Sequence, residues 1–185
     1  KGKLLYLGGN GLNCAIEFPD PQTMKVRNGA HGGSSSELAQ IGKESRFDIY
    51  YESEANLLGV RCTETGIMTG APYRVIDDSH WIFSDTGLKN GDLFGERCLH
   101  MRCPGGASGH ETDKRSSSNS PPGTLLLAKG LNPDDGGGEV TYYETESKGA
   151  VFSVGSISYP CSLPVDKNIS QITKNVLEHF LDKSS

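Results

Sequence analysis

A stretch near the middle of the chain reads Arg102-Cys103-Pro104-Gly105-Gly106-Ala107-Ser108-Gly109-His110-Glu111-Thr112-Asp113-Lys114. It gathers a thiol, an imidazole and two carboxylates, the groups that act as nucleophiles or move protons. Its glycines let the backbone take positive φ and approach a ligand closely. No helical or strand period runs through it, so it reads as a loop extending from Arg102 to Thr124. Loops of that length in compact domains are usually functional or disordered. The density of titratable groups favours a functional loop. The bland alternative is a solvated connector in which Glu111 and Asp113 only cap turns.

Other chemistry-bearing residues are more thinly spread. Glu52 and Glu54 alternate like residues on one strand face and read as a solvated edge. His100 and Cys103 have loose metal-ligand spacing but lack two further partners. His31 lies in a Gly/Ser stretch, Asn28 to Ser36, that reads as mobile. Trp81, Tyr142 and Tyr143 read as packing residues.

The elements that must position the central loop are short. With 185 residues the chain suits one domain, 1–185, and its 24 glycines and 9 prolines point to many turns. The net charge is -5 with no basic stripe, which excludes nucleic-acid binding as an expectation. No apolar run approaches bilayer length, so no membrane span is expected. Five cysteines at irregular spacing are not a disulfide framework and fit a reducing cytoplasm. Cys14, Cys62 and Cys161 read as buried small hydrophobes.

Leu4 to Leu7 reads as a buried strand closed by Gly8-Gly9-Asn10-Gly11. Ala15 to Phe18 and Met24 to Arg27 read as a hairpin. Phe47 to Tyr51, Tyr73 to Ile76, Trp81 to Phe83, Thr124 to Ala128, Val140 to Glu144 and Ala150 to Ile157 are further strand candidates, with a hairpin turn at Asp134-Asp135-Gly136-Gly137-Gly138. The spacing of Ile169, Ile172, Val176, Leu177 and Phe180 predicts a helix over 166–182, N-capped by Asp166. A doubly wound α/β domain needs several crossovers, yet there is one clear helix. The expectation is a mainly parallel sheet that forms the back part of a larger domain, completed by an upstream segment or a partner chain. The chain is also expected to form oligomers.

Three stretches carry a resemblance. They are Lys3 to Gly11, Gly109 to Lys114, and Gly149 to Ile157 followed by the helix through Asn175-Val176-Leu177. Together and in this order they resemble the family formed by the C-terminal domain of the N,N-dimethylformamidase large subunit. The resemblance implies an α/β, class I glutamine-amidotransferase-like (flavodoxin-like) three-layer sandwich with added β-hairpins. In that fold the turn after the first strand occupies the place of a nucleophile elbow, and here Gly8, Gly9 and Asn10 offer no nucleophile. The resemblance also implies a mononuclear iron held by two tyrosines and a glutamate. The tyrosines are expected upstream. For the glutamate, Glu44 is the first candidate and Glu111 the second.

Amide hydrolysis without a side-chain nucleophile needs an activated water, and a metal can lower its pKa. A carboxylate or imidazole must then move protons. Glu111 with His110 is the expected catalytic pair, and Asp113 is expected to orient the imidazole or pair with Arg115. Asn10 and Asn13 are expected at the rim of a site binding a small amide. Two other readings stay open: a non-catalytic ligand-binding or scaffolding domain of a larger enzyme, and a cysteine hydrolase using Cys103 or Cys14.

Overall fold

A computed structural model describes residues 2–27, 35–63, 65–66 and 68–182. The central sheet has six strands: β1 (Lys3–Tyr6), β6 (Tyr73–Val75), β7 (Leu93–Phe94), β10 (Leu125–Gly130), β11 (Glu139–Glu144) and β12 (Ala150–Ser153), in the spatial order β1-β12-β11-β10-β6-β7. Around it lie three two-stranded ladders. These are the hairpin β2 (Ala15–Asp20) with β3 (Thr23–Arg27), β4 (Arg61–Thr63) with β9 (Thr112–Lys114), and β5 (Gly70–Ala71) with β8 (Ser108–Gly109). The helices are α1 (Ser35–Gln40), α2 (Ala55–Leu58), α3 (Tyr159–Ser162) and α4 (Lys167–Leu181).

The expectation of a mainly parallel sheet is corrected. β1 and β12 pair parallel, and every other neighbour in the sheet pairs antiparallel. The connections explain it. β10 turns into β11 through Asp134, Asp135 and Gly137, all at positive φ, and β11 turns into β12 through 145–149, where Lys148 N–H donates to Thr145 O at 2.9 Å. Connections this tight make hairpins, whereas a parallel pair needs a long crossover. The architecture is a mixed α/β domain with a mainly sheet core.

α4 supplies the apolar face its spacing predicts. Ile169, Ile172 and Val176 are buried in one core with Phe152, Val140 and Leu127 from the sheet and Val154 just after β12, while Phe180 is partly buried and Leu177 is exposed. Asp166 Oδ1 accepts from the N–H groups of Asn168 and Ile169, both at 3.1 Å, and so satisfies two free donors of the first turn. The Asn175 side chain donates to the carbonyls of Ile82 and Ser84 at 2.8 Å each, fastening the helix to the adjacent turn.

Several strand expectations fail locally. Trp81–Phe83 is a 3-10 turn, capped where His80 Nδ1 accepts from Ile82 N–H. Trp81 stacks on His179 of α4 at 4.2 Å rather than joining a ladder. Phe47 to Tyr51 forms turns, with the N–H groups of Tyr50 and Tyr51 both donating to Phe47 O. Ser45 Oγ accepts from Asp48 N–H there, and such local bonds compete with sheet pairing. The supposed loop 102–124 contains two strands, β8 and β9. Cys14, Cys62 and Cys161 are half-buried, and Cys103 is the thiol that is buried. His31 and most of the 28–36 stretch lie outside the described residues.

Candidate active site

The C-terminal end of β1 runs into the turn at 8–12, and the loop 109–114 lies against it. Asp113 joins them. Its Oδ2 accepts from the Tyr6 hydroxyl at 2.8 Å, and its Oδ1 accepts from Asn10 N–H at 2.8 Å. The Tyr6 oxygen in turn accepts from Gly11 N–H at 2.7 Å. A third segment, just after β12, holds the loop from behind. Asp113 N–H donates to Gly155 O at 3.0 Å, and Ile157 N–H donates to Glu111 O at 3.1 Å. Ser156 Oγ accepts from Gly109 N–H at 2.8 Å and donates to Ala107 O at 2.8 Å. The three stretches that carry the family resemblance therefore meet at one place.

Burial sets the electrostatics. Asp113 is only 1% exposed, and desolvation pushes its pKa up to about 7 against the Asn10 and Tyr6 hydrogen bonds, which favour the charged form. The charges of Glu54 and Glu111 push in the same upward direction. Burial also raises the Tyr6 hydroxyl, helped by the Asp113 charge, so Tyr6 stays a donor. Glu54, read from sequence as a solvated strand residue, is buried, and desolvation raises its carboxyl. It accepts from Ser45 Oγ and, at 3.3 Å, from Cys62 N–H. Cys62 faces Asp113 in the β4·β9 register, so two buried carboxyls lie close behind the β1 turn.

The expected site residues divide into two places. Glu111, His110, Asp113 and Asn10 come together, and the peptide between His110 and Glu111 is cis. Glu111 and Asn10 are half-buried, and among the described residues neither side chain has a hydrogen bond or ion pair. Among the described residues His110 Nδ1 is buried without a hydrogen-bond partner, and the two Asp113 oxygens are engaged by Tyr6 and Asn10 rather than by this imidazole. Nor does Asp113 pair with Arg115, whose Nε lies 3.0 Å from Glu139. Asn13, three residues past Asn10, has no side-chain hydrogen bond among the described residues.

Glu44 lies elsewhere. Its Oε2 is 3.0 Å from Arg61 Nε and accepts from Ser116 Oγ at 2.6 Å, while Ser53 Oγ donates to Oε1. Burial pushes this carboxyl up, but the two serines and the Arg61 charge prevail and hold it below the usual range. To bind a metal it would have to exchange these partners. The described residues contain no group of three or more His, Cys, Asp or Glu side chains placed to hold a metal ion. The Cys103 thiol is no better placed. Cys103 is 1% exposed with its Sγ turned to His110 O at 3.5 Å, and its N–H donates to His100 Nδ1 at 3.1 Å.

Tyr6 and Glu54 are the functional candidates that sequence reasoning missed. Tyr6 sits in an apolar run that reads as a buried strand, with no separate role for its hydroxyl. The available signal was its place immediately before the glycine-rich turn.

Comparison with known proteins agrees with this convergence. The family described as N,N-dimethylformamidase beta subunit-like, C-terminal, matches residues 2–174. The N,N-dimethylformamidase beta subunit of Alcaligenes sp. is 36% identical over 97% of this chain, and that of Paracoccus aminophilus is 38% identical over 97%. The chain spans 28% of the length of each relative. With the match running across all three segments that build the site, the chain belongs to the N,N-dimethylformamidase beta subunit-like, C-terminal family.

Proposed function

We propose that this chain is the part of a dimethylformamidase-type amidohydrolase that supplies proton transfer and substrate orientation for cleaving the C–N bond of a small amide such as N,N-dimethylformamide. The observation that carries this reading is that the segments bearing Glu111 and Asn10, two half-buried polar residues, are tied together through the buried Asp113, whose Oδ1 accepts from Asn10 N–H at 2.8 Å. Glu111 takes a proton from the attacking water and returns it to the leaving amine nitrogen. The Asn10 side-chain amide donates to the amide oxygen as negative charge builds on it. Asp113, with both oxygens engaged, orients rather than transfers. Asn13 lies at the rim, and His110 tunes Glu111 from the adjacent position.

For the iron implied by the resemblance, Glu44 remains the first candidate for the glutamate ligand, and no step here runs through the metal. The relatives are named as beta subunits, which supports a partner chain in the working enzyme. No helix of the described residues is long and apolar enough to cross a membrane. In the complete enzyme, Glu111→Gln keeps size and hydrogen bonding but removes the base. Turnover of N,N-dimethylformamide should fall about a hundredfold or more, as expected for loss of a general base. Unchanged turnover would overturn the assignment and favour the scaffolding alternative.

A further inference from the structure

We infer that Tyr6 is a positioning residue for this site: its ring is the surface on which the 8–11 turn is wound, and its hydroxyl, with Asp113, fixes Asn10 against the Glu111 segment. The inference rests on the proposed amide-hydrolysing role for what the turn is positioned to do. The clamp itself rests on geometry alone.

Tyr6 is the last residue of β1, and its hydroxyl contributes nothing to the ladder with β12. It makes two bonds, and both belong to the site. It donates to Asp113 Oδ2 at 2.8 Å and accepts from Gly11 N–H at 2.7 Å. Asp113 returns to the same turn through Asn10 N–H at 2.8 Å. Two successive backbone N–H groups are thus held by one tyrosine–carboxylate pair. The ring also shapes the turn from below. A Cβ on Gly11 would lie 2.6 Å from Tyr6 Cε2, so the turn can close this tightly over the ring only with glycine there. Asn10 adopts φ 54°, in the left-handed region that asparagine enters more readily than other residues bearing a side chain.

If the ring only filled space, losing the hydroxyl would leave the turn and the reaction unaffected. If Tyr6 positions Asn10, losing it frees the turn while leaving the fold in place. Interactions that matter most in the transition state then suffer more than ground-state binding.

The test is Tyr6→Phe in the complete enzyme, read two ways. Amide hydrogen exchange at Asn10 and Gly11 should become faster. The kcat for N,N-dimethylformamide should fall by up to about 100-fold, as when a change away from the chemistry misplaces a reacting group, with a smaller change in KM. Asp113→Asn, which keeps an acceptor for Asn10 N–H, should retain more activity than Asp113→Ala, and it supplies the same readouts if Tyr6→Phe fails to fold. Unchanged exchange at Gly11 would overturn the clamp. Faster exchange with unchanged kcat would overturn the positioning role. Glu111→Gln serves as the control: it should leave Gly11 exchange unaltered, so failure of the amide-hydrolysing reading is seen in its activity and not in the clamp measurement.

Discussion

Gly9 and Glu111 touch through their backbones: a Cβ added to Gly9 would sit 2.1 Å from the Glu111 carbonyl oxygen. That oxygen also accepts the Ile157 N–H at 3.1 Å, so it cannot retreat without breaking a second contact. Gly9→Ala should therefore push the β1 turn away from the Gly109 to Lys114 loop. We expect activity to fall at least tenfold, and a loss of stability of about 1–3 kcal/mol, the range for overpacking a closed site. Denaturant unfolding and turnover of N,N-dimethylformamide measured together check it, and a fully active, equally stable Gly9→Ala would contradict the packing described.

Asp113 gives stability a pH dependence. Its folded pKa, about 7, lies above the ordinary value of 3.8, so the folded chain holds this proton more tightly than the unfolded chain. The contribution is complete below the unfolded value and is lost as pH rises through 7. A difference of this size corresponds to at most ~4 kcal/mol. Glu54 is raised as well and acts in the same sense. Asp113→Asn has no such titration. Its Tm relative to the unsubstituted protein should be more favourable at pH 8 than at pH 5. A difference that does not vary with pH would count against a raised Asp113.

Val176 is fully buried in the core between α4 and the sheet. Val176→Asp would place an unpaired charge there and should destabilise the domain by about 3–5 kcal/mol. Thermal denaturation is the direct measurement, and an unshifted midpoint would refute the helix packing.

Surface exposure predicts association. β1 lies at one edge of the sheet, and the β2–β3 hairpin shows Ile16, Phe18, Met24 and Val26 to solvent. In the register of the hairpin Ile16 faces Val26, which places apolar residues together on one side. The 185-residue chain expressed alone should associate or precipitate. A monodisperse monomer in sedimentation velocity, with no binding of a hydrophobic dye, would be the contrary result.

Much of the frame was legible in the sequence because it is local. Turn residues at 134–138 specify the β10–β11 hairpin, and the spacing of Ile169, Ile172 and Val176 specifies the α4 face. The Gly109 to Lys114 stretch could be singled out as a candidate from residue type, whereas the turn after β1 came into view only through the family resemblance. Sheet direction was misread because short apolar strands look alike in parallel and antiparallel sheets. The Tyr6–Asp113 bond joins positions 107 apart, and no period or spacing encodes such a pair. Trp81–Phe83 and Phe47 to Tyr51 have strand-like composition, yet local capping and stacking on α4 decide their conformation. Glu54 was misplaced for the same reason: alternation with Glu52 mimics a strand where the chain is turning into α2.

The parallel pairing of β1 with β12 also has a kinetic consequence. The first strand of the sheet in chain order completes it by joining the last, across a register that matches Lys3 with Ala150 and Tyr6 with Ser153. Contacts between such distant positions form slowly, because loop-closure entropy must be met before they reward it. The Asn10 turn, the Glu111 loop and the Gly155 segment cannot meet until that closure has occurred. In refolding, recovery of the contacts around Asp113 should lag behind formation of the β10–β11–β12 meander, which needs only neighbouring stretches of chain.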